Sequence, residues 1–369
     1  MVSPFVSVPV DAVFADDVLA ADAAFCRLAA QLGLPVHGTE IPAQGPNGDA
    51  LFTRHLWFGN QDASKVLVLI SGTHGVEGLA GSAIQQDLLT QVHASGWQPP
   101  ADTALLLVHL LNPFGCAWAR RCDQDGIDLN RNFVDFSQPL PSNPGYLELR
   151  AALLSGDEAR RQAVQQDYAR QHGQTALEIA VSGGQFTDPL GPWFGGTAPA
   201  FARRYIEGLM RDYRLAERQL AVIDLHSGLG PYGHGEIICD HPAASVGTAT
   251  AQRWYGEAVT LPELGTSFSA PKLGLMDYGW HAIMGDKSCF VTLEFGTGST
   301  ERLFRVLLDD HALHTHGKID WQAPATRRVK GAMLAHFYPP HRHWRESVIL
   351  KARSVITLAL QGLADRTDA

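Results

Sequence analysis

The chain has few cysteines, and their arrangement excludes a fold stabilised by disulfides. Its 369 residues include five cysteines, an odd number, with no Cys-x-x-Cys spacing among them. Small secreted proteins that depend on disulfides have dense, even-numbered patterns, whereas scattered thiols are typical of reducing compartments. We therefore expect reduced thiols in a cytoplasmic protein. The five residues are Cys26, Cys116, Cys122, Cys239 and Cys289.

Positive charge and long apolar runs are also scarce. The formal net charge is -9, and Lys and Arg form no cluster, so nucleic acids and anionic membranes are not expected as partners. Residues 1–30 contain four Asp, one Arg and no Lys, which does not fit the basic start of a signal peptide. No uninterrupted apolar run is long enough to span a bilayer. The sequence therefore predicts a cytoplasmic location and leaves the oligomeric state open.

Two motifs of common enzyme classes are missing. The sequence contains neither the Gly-x-Ser-x-Gly of many serine hydrolases nor the Gly-x-x-x-x-Gly-Lys-Ser/Thr phosphate loop. Its composition of 45% hydrophobic and 18% charged residues argues against disorder and fits a globular chain with a large core. A single large α/β domain can have this length.

The feature around which the chain is organised is a turn between a buried strand and a helix. Residues 66–70 are all Val, Leu or Ile, and residues 79–92 have the apolar spacing of a helix. His74 and Glu77 lie between them, at the carboxyl end of the strand, where open α/β proteins bind ligands. Imidazole and carboxylate groups both ligate zinc. Because such a pair also occurs by chance, its meaning depends on the rest of the chain.

Strands and helices alternate along the whole chain. Apolar runs predict strands at 51–59, 65–70, 104–111, 219–225, 236–239 and 290–296. Helical spacing or composition predicts helices at 12–33, 79–94, 147–182, 198–219, 247–260, 300–314 and 343–363. This alternation predicts one domain over residues 1–369, a three-layer α/β/α fold whose mixed, mostly parallel twisted sheet has helices on both faces. Residues 1–50 would form a helical lead-in, and the Gly-rich aromatic segment 182–199 a cleft loop.

Three of the predicted strands end in polar residues that strand propensity does not explain. His74 and Glu77 follow one strand, His226 ends a second, and Glu294 ends a third. If these strands are neighbours in one sheet, their carboxyl ends meet at one edge. Two His and one Glu would hold a zinc ion with one position open, which is the pattern of catalytic rather than structural zinc.

A polar loop after the third strand carries the most specific motif. Arg121 is followed by residues 128–133, which are Asp-Leu-Asn-Arg-Asn-Phe. Together with the His-x-x-Glu, the later His226 and the strand-end Glu294, this motif resembles the zinc metallocarboxypeptidase family, the carboxypeptidase A-like superfamily. Segments such as 224–233 look like a bacterial branch of it. The chain is more distantly similar to the succinylglutamate desuccinylase and aspartoacylase family, which shares His-Gly-x-Glu and Asp-Leu-Asn-Arg.

The resemblance implies a zinc-carboxypeptidase-like fold and a zinc hydrolase site. His74, Glu77 and His226 would ligate one zinc ion per chain. Glu294 would be the general base that takes a proton from zinc-bound water and later protonates the leaving amine.

Five further residues obtain roles from the same resemblance. Arg121 would stabilise the oxyanion, and Asn130 and Arg131 would bind the terminal carboxylate of the substrate. Asp128 would accept the second ring N–H of the His ligand that follows the central strand. The family also uses a mobile Tyr before the last strand, and Tyr278 is the Tyr available for that substrate-binding role.

The implied function is a metallocarboxypeptidase-like cleavage of a C-terminal peptide or peptide-like amide bond. The alternative is an N-acyl-amino-acid deacylase with the same zinc site, although in that family the oxyanion Arg tends to lie closer to the Asn than Arg121 lies to Asn130. A zinc-binding protein without catalysis is a third hypothesis, but it would need neither Arg121 nor Glu294. The expected partner is a small peptide or acyl-amino-acid substrate.

Two other histidine pairs are expected to be exposed to solvent. They are His314 with His316, and His341 with His343. Neither pair has a carboxylate or Cys at ligand spacing, so neither is predicted to bind a metal.

Overall fold

A mixed β-sheet forms the centre of the computed structural model, which describes residues 10–315 and 319–365. Within these residues its strands are β1 (Val36–Gln44), β2 (Ala50–Gly59), β3 (Lys65–Ser71), β4 (Thr103–His109), β5 (Gln219–Ser227), β6 (Gly235–Ile238), β7 (Val259–Thr260) and β8 (Cys289–Phe295). All six predicted strands are present. β1 was missed because most of its residues are exposed at the edge of the sheet and form no apolar run, and β7 because it has two residues.

The order of strands across the sheet is β1-β2-β4-β3-β5-β8-β6-β7. The central strands β4, β3, β5 and β8 are parallel to one another, while β2 and β6 join them in antiparallel orientation. The predicted mixed, mostly parallel sheet is therefore confirmed. Because β3, β5 and β8 are adjacent and parallel, their carboxyl ends share one edge, where the register pairs His226 with Glu294.

The helices are α1 (Val18–Gln31), α2 (Gly78–Ser95), α3 (Pro113–Ala117), α4 (Pro144–Leu153), α5 (Glu158–His172), α6 (Gln174–Ser182), α7 (Phe201–Asp212), α8 (Val246–Tyr255), α9 (Met276–His281), α10 (Thr300–Thr315), α11 (Pro324–Phe337) and α12 (Arg342–Ala364). The segment 147–182, predicted to be helical from its composition, forms three helices, α4, α5 and α6. Asp157 accepts a hydrogen bond from the N–H of Arg160 and begins α5, and Gly173, with φ of 92°, ends it. The short helices α3 and α9, and the basic α11, were not predicted.

The predicted N-terminal helical lead-in is only partly helical. Residues 1–9 lie outside the described residues. Within the remainder, Asp17 accepts a hydrogen bond from the N–H of Ala20 and begins α1, and the edge strand β1 follows. Residues 10–50 therefore contribute a strand to the sheet as well as a helix.

The central strands bury apolar side chains on both faces of the sheet. Leu67, Leu69 and alternate residues of the neighbouring strands pack with α1, α2, α8 and α12 on one face. Val66, Val68 and Ile70 pack with α7 and α9 on the other. Strands buried on both faces appear in a sequence as continuous apolar runs, which is why these strands could be predicted. The two packed faces make the three-layer α/β/α architecture.

A third hydrophobic cluster lies at the carboxyl edge of the sheet. It joins α4, α6, α10 and α11, and it includes Trp193 from the segment 182–199. Residues of α6, α10 and α11 line the same cavity as the ends of β3, β5 and β8. The cluster therefore forms one wall of a cleft at this edge.

The helix α12 is long and apolar enough to cross a bilayer, judged by length and composition alone. Its apolar residues, including Trp344, Val348 and Val355, are buried against one face of the sheet. A core helix of a soluble protein passes the same test, so α12 is weak evidence for a membrane partner.

The turn between β3 and α2 is held by the loop that contains Arg120 and Arg121. The backbone N–H groups of Gly75 and Val76 donate to the carbonyl oxygens of Arg121 and Arg120, at 3.1 and 2.9 Å. A Cβ atom on residue 75 would lie 2.2 Å from the Cα of Gly115, far inside van der Waals contact. Glycine at this position therefore lets the turn pack directly against the backbone of α3.

Replacement of Gly75 by Ala should destabilise the fold, because the new methyl group can fit only if backbone moves. The expected loss in the free energy of unfolding is at least about 1–3 kcal/mol, the range of overpacked sites, measured by denaturant titration. Gly331→Ala in α11 is the control, since a Cβ there meets nothing within 4 Å, and it should be neutral or stabilising. Unchanged stability of Gly75→Ala would contradict the close packing.

Candidate metal centre and active site

Three buried side chains from two strand ends meet in the cleft. His74 follows β3, and Glu77 lies in the short helical turn Gly75–Glu77. His226 is the second-last residue of β5. The Nδ1 atoms of the two His are 3.1 Å apart. One carboxylate oxygen of Glu77 lies 2.9 Å from Nδ1 of His74, and the other lies 3.0 Å from Nδ1 of His226. The structure thus brings the three predicted metal ligands together.

The donor chemistry of this group fits a metal cation. Nε2 of His226 lies 2.5 Å from Asp224, and Nε2 of His74 lies 3.4 Å from Asp128, so a carboxylate faces the outer nitrogen of each ring. These contacts favour the tautomer with the proton on Nε2. The Nδ1 lone pairs then point at each other and at the carboxylate of Glu77. Adjacent lone pairs repel unless a cation lies between them, and two His with one Glu are a zinc ligand set.

Asp224 is a site residue that the sequence analysis missed. Its second oxygen accepts a hydrogen bond from Oγ1 of Thr73 at 2.7 Å, so both oxygens of the carboxylate are fixed. Asp224 and His226 are two residues apart on β5 and point to the same face of the sheet. An acidic residue two positions before a candidate ligand, inside an otherwise apolar strand, was the available signal.

Electrostatics in the centre also favour a cation. Burial alone would raise the pKa of Glu77, but the two His rings hold it well below its usual range. Burial alone would lower the pKa of His226, but the carboxylates of Asp224 and Glu77 raise it well above its ordinary value. The same negative potential that holds a proton on this ring would attract a metal cation in its place.

Glu294 lies at the end of β8, beside His226, and lines the cleft. Its Oε1 accepts a hydrogen bond from the backbone N–H of Leu229 at 3.0 Å. Burial and the negative charge of Glu77 raise the pKa of Glu294 to about 8. A fixed carboxyl group that can hold or release a proton near neutral pH is suited to proton transfer.

The segment 228–233 that carries Leu229 has the spacing Gly-x-Gly-x-x-Gly. In nucleotide-binding folds this spacing opens a helix whose N-terminus binds phosphate. Here strand β6 follows it, so no helix N-terminus is available. Gly228 has φ of 130°, and a Cβ there would lie 2.4 Å from the Phe337 ring. The glycine at position 228 therefore allows the tight turn and the close packing against Phe337.

Arg121 is fixed on the opposite side of the ligand group. Its Nε donates to Asp128 at 2.7 Å, and its Nη1 lies 3.7 Å from Glu77. Burial alone would lower the pKa of Arg121, but the carboxylates of Asp128 and Glu77 raise it. Arg121 also lines the cleft, so its remaining N–H groups are available to a ligand. Asp128 contacts both Arg121 and His74, which links the cation to the metal ligand.

Asn130 and Arg131 line the same cleft. Oδ1 of Asn130 accepts a hydrogen bond from the N–H of Met276 at 2.7 Å, which leaves its NH2 group for a ligand. The guanidinium of Arg131 donates to the carbonyl oxygens of Ser182 and Asn130. These contacts use three of its five N–H groups, so Arg131 holds the loop and retains two donors.

Tyr278 is not among the residues that line the cleft. It is 39% exposed, and its hydroxyl donates to the carbonyl oxygen of Lys272 at 3.2 Å. It lines a neighbouring cavity that shares Asp240 and Lys272 with the cleft. The structure therefore separates Tyr278 from the other predicted site residues, and its role in substrate binding stays a prediction.

Two charged cleft residues, Asp240 and Lys272, were also missed by the sequence analysis. Burial and, after it, the nearby Arg131 lower the pKa of Lys272 to about 8. Asp240 directly follows a predicted strand, as the other site residues do, and this position was a usable signal. Lys272 lies in an irregular loop, where no pattern marks it.

Two residues of the aromatic segment 182–199 are at the cleft. Ser182 and Trp193 line it, together with Phe304 and Phe337 of the third cluster.

The described members of the two other histidine pairs, His314, His341 and His343, belong to no group of metal-binding spacing among the described residues. Within the described part of the chain, one group of three His, Cys, Asp or Glu has metal-binding spacing, and it is His74, Glu77 and His226. His316 lies outside the described residues. The expectation of exposure was wrong for His314, whose side chain lies between Arg120 and Lys330. The rings of His341 and His343 stack on each other at 5.8 Å.

A family model described as "Protein of unknown function (DUF2817)" matches residues 14–351. The chain belongs to this family. A comparison with curated proteins finds no match. Membership thus covers nearly the whole chain, including every predicted site residue, and carries no assigned activity.

Solved structures similar to this DUF2817 member come from the two groups that its motifs resemble. Carboxypeptidase A from Helicoverpa armigera is 13% identical with a TM-score of 0.49, covering 96% of this chain and 74% of that one. Bovine thrombin-activatable fibrinolysis inhibitor, solved with tick carboxypeptidase inhibitor, is 12% identical with a TM-score of 0.42, covering 92% and 97%. An aspartoacylase family protein from Mesorhizobium loti is 14% identical with a TM-score of 0.36, covering 77% and 68%. Function therefore has to be inferred from the site itself.

His74→Ala should abolish stoichiometric zinc binding, because it removes one of three ligands and leaves too few to hold the ion. We expect about one zinc per chain in the wild type and well below that in the variant, measured by elemental analysis after dialysis. His172→Ala is the control, since His172 is exposed at the end of α5 and its loss should leave the zinc content unchanged. Zinc retained by His74→Ala, or absent from the wild type, would contradict the assigned centre.

Proposed function

We propose that this protein is a zinc-dependent hydrolase that cleaves an amide bond beside a free carboxylate, as a metallocarboxypeptidase does. One observation carries the proposal. The Nδ1 atoms of His74 and His226 lie 3.1 Å apart, and each lies within 3.0 Å of one carboxylate oxygen of Glu77. Glu294 and Arg121 line the same cleft. The three metal-ligating residues, the carboxyl group that can transfer a proton and the arginine cation thus face the same cleft.

Glu294 would transfer the proton in this reaction. Zinc, when bound by His74, Glu77 and His226, would supply Lewis-acid polarisation and make a water molecule more acidic. Glu294 accepts a proton from the attacking water and then donates it to the nitrogen of the leaving amine. Its position against the N–H of Leu229 holds the carboxylate in one orientation for both transfers.

Arg121 would stabilise the negative charge that develops on the carbonyl oxygen. Asp128 holds its guanidinium through Nε, so the N–H groups on Nη1 and Nη2 can face the cleft without a rearrangement. Donors that are already oriented stabilise such a charge effectively, by a factor of about 10²–10³ in rate for one donor.

The substrate carboxylate would bind on the side of Asn130 and Arg131. Their free groups are the NH2 of Asn130 and two N–H groups of Arg131, and Lys272 lines the same part of the cleft. A planar carboxylate accepts hydrogen bonds from such an array. These donors supply the preference for a free C-terminus that distinguishes a carboxypeptidase from other amide hydrolases.

An N-acyl-amino-acid deacylase is the second candidate. An N-acyl amino acid presents the same amide and free carboxylate, with a short acyl group in place of a peptide. The third hydrophobic cluster, through Trp193, Phe304 and Phe337, walls one side of the cleft. This wall favours substrates with little bulk on that side, which both small peptides and acyl amino acids satisfy. A non-catalytic zinc protein would have no use for the buried Glu294.

Glu294→Gln should retain zinc and lose hydrolysis, because Gln has nearly the same shape but cannot take up the proton. The expected fall in kcat is at least about 100-fold, the lower end for general acid–base catalysis, measured with N-acyl dipeptides. Glu236→Gln is the matched control, since Glu236 is a buried glutamate on β6 that pairs with Glu294 and does not line the cleft. An undiminished rate in Glu294→Gln would refute the assigned base.

Amidation of the substrate C-terminus should lower kcat/KM by at least about 10-fold, because it removes a charge-assisted hydrogen bond to the carboxylate-binding donors. The measurement compares N-acyl dipeptides that differ only in a free or amidated C-terminus. Equal rates for the two forms would remove the carboxypeptidase assignment and favour other amides.

A further inference from the structure

One peptide bond links the candidate base to residues that lie outside the cleft. The N–H of Leu229 donates to Oε1 of Glu294 at 3.0 Å, and among the described residues no other group donates a hydrogen bond to this carboxyl group. The N–H of Leu229 shares a rigid plane with the carbonyl group of Gly228, because a peptide bond is planar. The orientation of Glu294 therefore depends on the orientation of the peptide 228–229.

The carbonyl oxygen of Gly228 is held by two side chains. Oγ1 of Thr297 donates to this oxygen at 3.0 Å, and Nε2 of His336 lies 3.0 Å from it. Thr297 follows β8 and His336 lies in α11, so the two donors come from different parts of the chain. A carbonyl oxygen has two lone pairs, and these contacts use both. The peptide 228–229 therefore cannot rotate without the loss of both hydrogen bonds.

His336 acts as a donor through one of its two ring nitrogens. A carbonyl oxygen only accepts hydrogen bonds, so the proton of the ring lies on Nε2. Burial lowers the pKa of His336 to about 4, so the ring is neutral and Nδ1 keeps its lone pair. Among the described residues, the buried Nδ1 has no hydrogen-bond partner, which is unfavourable. The contacts of Nε2 with Gly228 and Thr297 therefore account for a histidine at this position.

The two donors can affect the cleft only through this peptide. Gly228 and Leu229 line the cleft, whereas Thr297 and His336 are not among its lining residues. The two side chains are 4% and 0% exposed, so neither contacts a substrate. Hydrogen bonds to a carbonyl group polarise the peptide and strengthen its N–H as a donor. Any effect of Thr297 or His336 on the reaction would therefore pass through Leu229 to Glu294.

We propose that Thr297 and His336 are positioning residues, which hold the peptide 228–229 so that its N–H keeps the Glu294 carboxyl group in one orientation. The inference rests on the proposed function, because it takes Glu294 as the group that transfers the proton. With Oε1 held by the N–H of Leu229, Oε2 is left to face the reacting atoms. Loss of either donor lets the peptide rotate, and Oε2 then faces these atoms in a smaller fraction of the molecules.

The test removes each donor and restores it with a conservative variant. Thr297→Val removes the hydroxyl with little change of shape, and Thr297→Ser keeps it. His336→Leu removes the ring donor, and His336→Gln retains an N–H group close to the position of Nε2. We expect Thr297→Val and His336→Leu each to lower kcat about 5- to 10-fold, the scale of one lost hydrogen bond, with KM unchanged. Thr297→Ser and His336→Gln should remain close to the wild type. Rates are measured with N-acyl dipeptides on the zinc-loaded protein.

The same substitutions in the Glu294→Gln background distinguish positioning from a general loss of packing. If Thr297 and His336 act through Glu294, they should leave the residual rate of Glu294→Gln unchanged, because the group that they orient no longer transfers the proton. Damage to the fold or to zinc binding would lower the residual rate as well. Thr53→Val is the matched control. Thr53 is a buried threonine whose hydroxyl donates to the carbonyl oxygen of Leu111 at 3.1 Å, and neither residue lines the cleft, so kcat should not change.

The inference is overturned if Thr297→Val and His336→Leu retain the wild-type kcat, if KM rises in place of the fall in kcat, or if the residual rate of Glu294→Gln falls by the same factor. If one of the two variants folds poorly, the other decides. Zinc content and the rate of Glu294→Gln report on the proposed function separately. Loss of hydrolysis in Glu294→Gln alone would refute only the positioning role. Wild-type hydrolysis by Glu294→Gln, or a protein without zinc or hydrolysis, would refute the proposed function.

Discussion

The site depends on one buried point at which the lone pairs of two imidazole nitrogens and of a carboxylate meet. Two imidazole nitrogens and a carboxylate lie within 3.1 Å of one another, and such a group is stable only around a cation. The parallel neighbours β3 and β5 supply this convergence, because both end at the same edge of the sheet. Gly75 also contributes, since its lack of a side chain lets the turn that carries His74 and Glu77 pack against the backbone of α3. The fold thus orients the ligands before any metal arrives.

Charge balance extends this constraint beyond the ligands. Asp128 and Asp224 each face the outer nitrogen of a His, and Arg121 lies against Asp128 and near Glu77. The contacts of Asp128 and Asp224 fix the orientation and the tautomer of the two His rings. The same loop carries Arg120, whose Nη1 lies 3.0 Å from Nδ1 of His314.

The site could be predicted from the sequence where it follows strand ends. His74, His226 and Glu294 each come after a run of apolar residues, and parallel strands bring such ends together. Asp224 was missed although it lies two positions before His226 on β5, because its other partner, Thr73, is identified only by the pairing of β3 with β5.

Loops were less predictable than strands, because their contacts are not periodic. Tyr278 was assigned from its position in the chain, whereas the direction of its side chain depends on the packing of an irregular loop. Arg120 and Lys272 could not be ranked above other basic residues until their burial was known. The helical composition of residues 147–182 did not reveal the breaks between the three helices, because Gly173 is a weak signal beside a long run of helix-forming residues.

The most direct test of the metal centre is a crystal structure of the zinc-loaded protein, with anomalous scattering recorded at the zinc edge. The account predicts one zinc peak per chain, in contact with Nδ1 of His74, Nδ1 of His226 and the carboxylate of Glu77. The Nε2 atoms should face Asp128 and Asp224. A peak elsewhere, or ligation through Nε2, would contradict it.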